Sequence, residues 1–157
     1  MIENRSAPPG DVVPKLIYAD VAHAVDWLCN AFGFTLRLSV RDGGGAIGHA
    51  QLHVGSGAVM LGPARTGQGF TSPDHAVLAP PRTGEVSHFV HVRVENVDRH
   101  FEQAKRAGAR ILNPPEDYPF GERQYTAEDF AGHRWTFSQS IADITPEAWG
   151  ATRGKDG

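Results

Sequence analysis

The chain has 157 residues, of which 40% are hydrophobic and 21% charged, and its formal net charge is -3. This composition is typical of one folded domain with an ordinary core and argues against global disorder. A slightly acidic chain is a poor candidate for binding nucleic acid, and no apolar run reaches the roughly 18–20 residues of a membrane span. The first residues lack the order of a signal peptide, and the single cysteine, Cys29, excludes an internal disulfide. We therefore expect a cytoplasmic protein that binds neither nucleic acid nor membrane.

Composition divides the chain into five segments. We predict a flexible N-terminus over 1–11, a first structured module over 12–62, a Gly/Pro-rich linker or lid loop over 63–85, a second structured module over 86–140 and a C-terminal tail over 141–157. A loop as long as 63–85 is uncommon inside a compact domain. It either links two halves or covers a functional site.

The first module begins with a short apolar strand that ends near Ala19. Asp20 is the predicted N-cap of a helix over 21–32, which carries an apolar stripe at three-to-four spacing and ends at Gly33. Three strand-like runs follow the helix, with the sequences FTLRLSV, GHAQLHV and AVMLG. The pattern predicts one strand, one helix and three strands.

The second module repeats this order about 75 residues later, which is the signature of an internal duplication. The strand SHFVHVRVE precedes Asn96, the predicted N-cap of a helix that ends at Gly108. The strands ARIL, RQYTAED and HRWTFSQ then follow, with a proline-rich turn after the first of them. The chain is therefore predicted to contain two tandem βαβββ modules.

The segments VPKLIYADVAHAVDWLCNAFGF, HVRVENVDRHFEQAKRAGARI and FGERQYTAEDFAGHRWTFSQ resemble the vicinal oxygen chelate superfamily, which includes glyoxalases, bleomycin-resistance proteins and extradiol dioxygenases. The likeness is strongest to its PhnB-like branch. The resemblance implies an α+β fold in which two tandem βαβββ modules form curved mixed sheets around a small-molecule cavity. Many members of the superfamily are dimers, and in several the cavity crosses the subunit boundary. A homodimer is therefore expected.

Metal-dependent members of the superfamily carry His, Gln or Glu ligands on the first and last strands of each module. Counting back from the two N-caps places the first-strand ligands at Val13 and Phe89, and the last-strand ligands fall at Met60 and Thr136. None of these four side chains offers a carboxylate or an imidazole, the donors that a divalent ion needs here. We therefore predict that the family metal is lost and that no other cofactor replaces it.

Polar side chains alternate along the strands that should line the cavity. In GHAQLHV the residues His49, Gln51 and His53 share one strand face, and no Asp or Glu joins them in the sequence. Arg123 follows the proline-rich turn and either binds an anionic ligand group or forms a salt bridge to Glu128 or Asp129. The full set of predicted ligand-binding residues is Lys15, His49, Gln51, His53, Met60, Phe89, His91, Arg93, Arg123, Tyr125 and Thr136.

The leading hypothesis is a metal-free protein that binds a small organic molecule, for which an enclosing cavity suffices. The alternative is a lyase, isomerase or dioxygenase-like enzyme. In that case His49, His53 and His91 would bind a relocated metal or act as acid and base. A third possibility is an interaction module without a cavity. No catalytic residue is assigned, because fold does not determine function.

Overall fold

A computed structural model describes residues 2–65 and 78–155, which form two modules. The central part of the predicted linker or lid loop, residues 66–77, lies outside the described residues, as do Met1 and residues 156–157. The first module contains β1 (Lys15–Tyr18), α1 (Val21–Phe32), β2 (Thr35–Arg41), β3 (Ile47–Val54) and β4 (Gly57–Pro63). The second contains β5 (Val90–Arg93), α2 (Val97–Arg106), β6 (Arg110–Tyr118), β7 (Glu122–Glu128) and β8 (Arg134–Ser140), and a short 3-10 helix, Pro146–Trp149, follows. The α+β fold with two βαβββ modules is confirmed.

Each module folds into one four-stranded mixed sheet. The strand order is β1-β4-β3-β2 in the first sheet and β5-β8-β7-β6 in the second. In both sheets the first strand runs parallel to the last, whereas the other neighbours are antiparallel. This register sets Lys15 beside Met60 and His91 beside Thr136.

Both helices begin where the sequence predicts, and α1 also ends there, whereas α2 ends at Arg106, two residues before the predicted Gly108. The Asp20 side chain accepts a hydrogen bond from the His23 amide at 3.0 Å, and the Asn96 side chain accepts one from the Arg99 amide at 2.9 Å. Gly33 ends α1 with a φ of 70°, a left-handed conformation that glycine adopts without steric cost. The described helices, all within residues 2–65 and 78–155, are too short or too polar to cross a membrane.

Strand β6 is longer than the sequence indicates. The proline-rich turn predicted after Leu112 is wrong, because the strand continues through Pro114 and Pro115 to Tyr118. Proline is tolerated here since β6 lies at the edge of its sheet, where an amide is not needed by a second neighbour. Register shifts against β7 on both sides of Asn113 absorb the irregular backbone.

The two modules pack against each other through the sheet faces that carry the helices. Phe32 of α1 lies 5.5 Å from the ring of Trp135 and 4.8 Å from that of Phe137, both on β8 of the other module. One continuous hydrophobic core therefore serves both modules. We call the opposite side of each sheet its open face, and the two open faces point away from this core.

A buried carboxylate crosses the boundary between the modules. Asp129 is 4% exposed and accepts hydrogen bonds from the Tyr18 hydroxyl at 2.7 Å and from Trp135 Nε1 at 3.1 Å. The amides of Ala131 and His133 each donate to its other oxygen at 3.0 Å. Burial, followed by the neighbouring Asp129 charge, raises the pKa of Tyr18 well above its usual value. The hydroxyl therefore stays protonated and remains a donor.

Asp129→Ala is expected to destabilise the protein by about 2–6 kcal/mol, because the buried side-chain donors of Tyr18 and Trp135 both lose their acceptor and the cost of each is about 1–3 kcal/mol. Chemical denaturation followed by fluorescence measures the free energy of unfolding. Asp26→Ala, at an exposed position of α1, is the control and should change it by less than about 0.5 kcal/mol. Equal effects of the two substitutions would contradict the assigned role of Asp129.

Candidate functional site

The open face of the second module carries a connected polar cluster. His91 Nε2 lies 2.8 Å from Ser138 Oγ and 3.8 Å from the Glu122 carboxylate. Arg93 lies 3.5 Å from the other Glu122 oxygen, and Gln124 donates to Glu122 at 2.7 Å. The Glu122 side chain is only 15% exposed, so its charge is held by neighbouring cationic and amide groups. The predicted residues His91 and Arg93 are thus brought together on one face.

Glu122 was not predicted as a member of this cluster, although it lies 3.8 Å from His91. Glu122 begins β7 and lies next to Ser140 of β8 in the sheet register. Strand alternation offered a signal, since Glu122 takes the face opposite to Arg123 and Tyr125. Alternation alone does not show which face of β7 is the open one, so the sequence could not place Glu122 there.

The cluster does not have the geometry of a nucleophile and its base. Ser138 and Glu122 both contact the same ring nitrogen of His91, whereas a relay needs them on opposite nitrogens. Ser138 is also completely buried, out of reach of a substrate. These groups form a preorganised polar wall that can hydrogen-bond or ion-pair with a ligand.

Tyr125 does not line the open face, in contrast to the prediction. It is 1% exposed and stacks on Phe137 at 5.1 Å on the helix side of the sheet. Its hydroxyl lies 2.6 Å from Nδ1 of His100, and burial raises its pKa. Tyr125 is therefore a core residue.

The Arg123 side chain also points to the helix side of the sheet, because residues 123 and 125 lie on the same side of β7. Its guanidinium contacts Asp98 of α2 at 3.0–3.2 Å and Asp117 of β6 at 2.6 Å. Hydrogen bonds to Asp98 and then Asp117 raise its pKa. Of the two predicted roles the structure shows the salt bridge, but with partners other than Glu128 or Asp129.

The open face of the first module carries the other predicted ligand-binding residues. Lys15 lies beside Met60, and its side chain crosses Gly62, where a Cβ would meet Lys15 Cε at 2.9 Å. Burial and the nearby Lys15 charge lower the pKa of His49. Lys15 and His49 line a cavity of about 230 Å³ together with Ile17, Gly48, Gly62, Pro63, Arg65 and Leu78. His53 lies further along the same strand and is exposed.

Gln51 lies between the two histidines and is only 5% exposed, which is unusual for an amide on an open sheet face. The side chain of Arg37 on β2 donates to its Oε1 atom. Gln51 Nε2 donates to the backbone oxygen of Ser6 at 3.3 Å and lies 3.3 Å from His49 Nε2. Arg37 was not predicted, because its role depends on contacts with a distant part of the chain.

The chain matches a family model over residues 12–137, described as the Glyoxalase/Bleomycin resistance protein/Dioxygenase superfamily. The chain belongs to this superfamily. The match spans both βαβββ modules, so the family is shown for the whole of the folded part.

Known proteins of similar structure include TioX from Micromonospora sp. ML1, at 38% identity and a TM-score of 0.66, with 84% of this chain and 99% of that chain covered. A glyoxalase/bleomycin resistance protein/dioxygenase from Nocardioides has the same fold, at 20% identity and a TM-score of 0.64, with 89% of both chains covered. An uncharacterised protein of Mycobacterium tuberculosis is 28% identical over 134 residues, which are 83% of this chain and 75% of that protein.

The four positions that the resemblance assigns to the family metal do not carry donors that suit a divalent ion. Met60 offers a thioether, Thr136 is bonded to Thr126 through its hydroxyl at 3.2 Å, and Phe89 is a phenyl group that is 58% exposed. Val13 has no donor. Met60 and Thr136 lie on the open faces of different sheets, and within residues 2–65 and 78–155 the two positions share no cavity. In the described parts of the chain, no three His, Cys, Asp or Glu side chains are placed to hold a metal ion.

His100 connects the two modules from the helix side. Its Nε2 lies 2.9 Å from the backbone oxygen of Phe32 in α1, and its Nδ1 accepts from Tyr125 at 2.6 Å. Burial lowers the pKa of His100, partly offset by the hydrogen bond to Phe32. The neutral imidazole with its proton on Nε2 therefore satisfies both partners.

This lowered pKa predicts that acid destabilises the fold. The unfolded chain binds a proton at His100 near pH 6.5, while the folded chain resists it, so stability is complete above that pH and falls as the pH drops through it. Between pH 7.5 and 5.5, His100→Gln should lose less free energy of unfolding than the unsubstituted protein. His53→Gln, at an exposed position, is the control and should retain the full loss. An unchanged pH dependence in His100→Gln would contradict the assignment.

Proposed function

We propose that the protein binds a small organic molecule without the metal of its superfamily, as a homodimeric, PhnB-like member. The ligand occupies a cavity between the open face of the first module in one copy and that of the second module in the other. The protein acts in the cytoplasm, and a small molecule and a second copy are its partners.

The observation that carries this proposal is the chemistry at the four ligand positions. Val13, Met60, Phe89 and Thr136 provide two hydrocarbon groups, a thioether and a hydroxyl, none of which replaces an imidazole or a carboxylate. Apolar side chains at these places, surrounded by polar groups, are the usual composition of a pocket for an organic ligand. The polar groups are Lys15, His49, Gln51, His53, His91 and Arg93.

The need for a second copy follows from the packing of the modules. Since both helix faces are used to build one core, the two open faces of a chain point away from each other. Each open face is half of a cavity, and Phe89, just before the edge strand β5, exposes a large apolar side chain to solvent. A twofold dimer covers both halves at once, because its interface uses the same surface of each copy.

A metal-free binding site predicts that the protein does not take up stoichiometric metal. After equilibration with Ni²⁺, Zn²⁺ or Mn²⁺ and desalting, elemental analysis should find far less than one ion per chain. His23→Ala, on the helix side, serves as the control for weak surface binding. One tightly held ion per chain that is lost in His49→Ala or His91→Ala would refute the proposal.

If the open faces form the dimer interface, a charge introduced on one of them should separate the two copies. Phe89→Glu places a charge beside the edge strand β5 of the second open face and should convert the dimer to a monomer, measured by light scattering after gel filtration. Lys105→Glu, on the exposed side of α2, introduces the same residue and should leave the dimer intact. A monomeric unsubstituted protein, or a dimer unaffected by Phe89→Glu, would contradict this arrangement.

The enzyme remains a second candidate because Glu122 lies 3.8 Å from His91. A carboxylate next to an imidazole can orient the ring so that it acts as an acid or base towards a substrate. In that case turnover of hemithioacetals or catechols should be measurable and should fall at least about a hundredfold in His91→Ala. Absence of turnover with both substrate classes would leave the binding function alone.

A further inference from the structure

The N-terminal residues Asn4–Ala7 lie on the open face of the first module, and we call them the strap. The Asn4 side chain accepts from the Ser6 amide at 3.0 Å, and its backbone oxygen accepts from the Ala7 amide at 3.0 Å. These bonds close a tight turn in which the backbone oxygens of Arg5 and Ser6 both remain available as acceptors. Both oxygens are directed at the sheet.

Two side chains of the sheet bind these oxygens. Arg37 donates from Nη2 to the Arg5 oxygen at 2.6 Å and from Nη1 to the Ser6 oxygen at 3.4 Å. Gln51 Nε2 donates to the same Ser6 oxygen at 3.3 Å. Because Arg37 also donates to Oε1 of Gln51, the amide of Gln51 is oriented with its N–H groups towards the strap. The pair presents a fixed set of donors to two consecutive carbonyl groups.

Recognition of the strap is made through its backbone. Within residues 2–65 and 78–155, the Arg5 and Ser6 side chains form no hydrogen bond with the sheet, and both residues are exposed. The strap also supplies no residue to the hydrophobic core, which begins at Leu16. Any molecule with suitably placed amide carbonyls could make the same contact. Little packing is lost when the strap leaves.

We propose that Arg37 and Gln51 form a binding site for the carbonyl oxygens of an amide-bearing molecule, and that the strap occupies this site until such a molecule displaces it. The inference rests on the proposed function and names the chemical class of ligand for the first open face. Gln51 lies 3.3 Å from His49, so a molecule bound there reaches the neighbouring cavity of about 230 Å³. The strap then competes with that molecule for the donors of Arg37 and Gln51.

The first test measures amide hydrogen exchange of residues 4–7 in the full-length protein. Arg37→Met should lower the protection of the Ala7 amide about tenfold, as expected when hydrogen bonds to a charged group are lost. Arg41→Met is the matched control, because Arg41 lies on the same strand and, among the described residues, donates its side-chain hydrogen bond to the Gly45 oxygen at 2.7 Å, away from the strap. Unchanged protection in Arg37→Met would overturn the proposal.

The second test uses a peptide with the sequence of residues 2–9, IENRSAPP, acetylated and amidated at its ends, as the amide-bearing probe. A chain shortened to residues 10–157, which retains the complete core, should bind this peptide saturably in calorimetry. Binding should weaken at least about tenfold in Arg37→Met but not in Arg41→Met. The full-length protein should bind the peptide at least about tenfold more weakly, because its own strap acts at millimolar effective concentration.

A peptide in which Arg5 is replaced by Ala distinguishes backbone from side-chain recognition and should bind equally well. Loss of binding with that peptide, or absence of binding to the shortened chain, would overturn the inference. The metal and dimer experiments do not involve the strap. If they give the expected results while the peptide fails to bind, the proposed function stands and only this inference fails.

Discussion

The architecture depends on the contact between the helix-bearing sheet faces of the two modules. Phe32 fills the space between the modules, and Asp129 satisfies buried donors from both of them. A buried carboxylate is tolerated only when its hydrogen bonds are complete, so this contact specifies one relative orientation of the modules. That orientation decides which sheet faces remain open.

The two open faces differ in chemistry, and the difference suits them to different parts of the proposed ligand. The second face gathers His91, Arg93 and Glu122 into a polar cluster whose members hold one another in place. The first face presents Lys15 next to a neutral His49, with an amide covered by the chain itself. Preorganised groups of this kind bind with a smaller entropic cost than mobile side chains. Together they are suited to an organic molecule with several polar groups.

The sequence was sufficient for local structure and for the alternation of most site residues. Asp20, Asn96 and Gly33 act through neighbours only a few residues away, so the helices were predictable, and the periods of β3 and β5 correctly grouped His49 with His53 and His91 with Arg93. Tyr125 was misplaced because a strand has two faces and nothing nearby marks the one that meets α2. Arg37 and Glu122 were missed because their partners are distant in the chain. The outward direction of the open faces depends on the contact between modules, which sequence periodicity does not encode.

The pair Pro114–Pro115 has an effect on the behaviour of the protein in concentrated solution. Strand β6 is an outer strand nine residues long, and an uninterrupted edge of this length would offer its free amides to a strand of another molecule. Two consecutive residues without an N–H, together with the distorted register around them, remove that template. The second sheet is thus protected on this side from edge-to-edge aggregation, and disordered polymerisation does not compete there with orderly assembly.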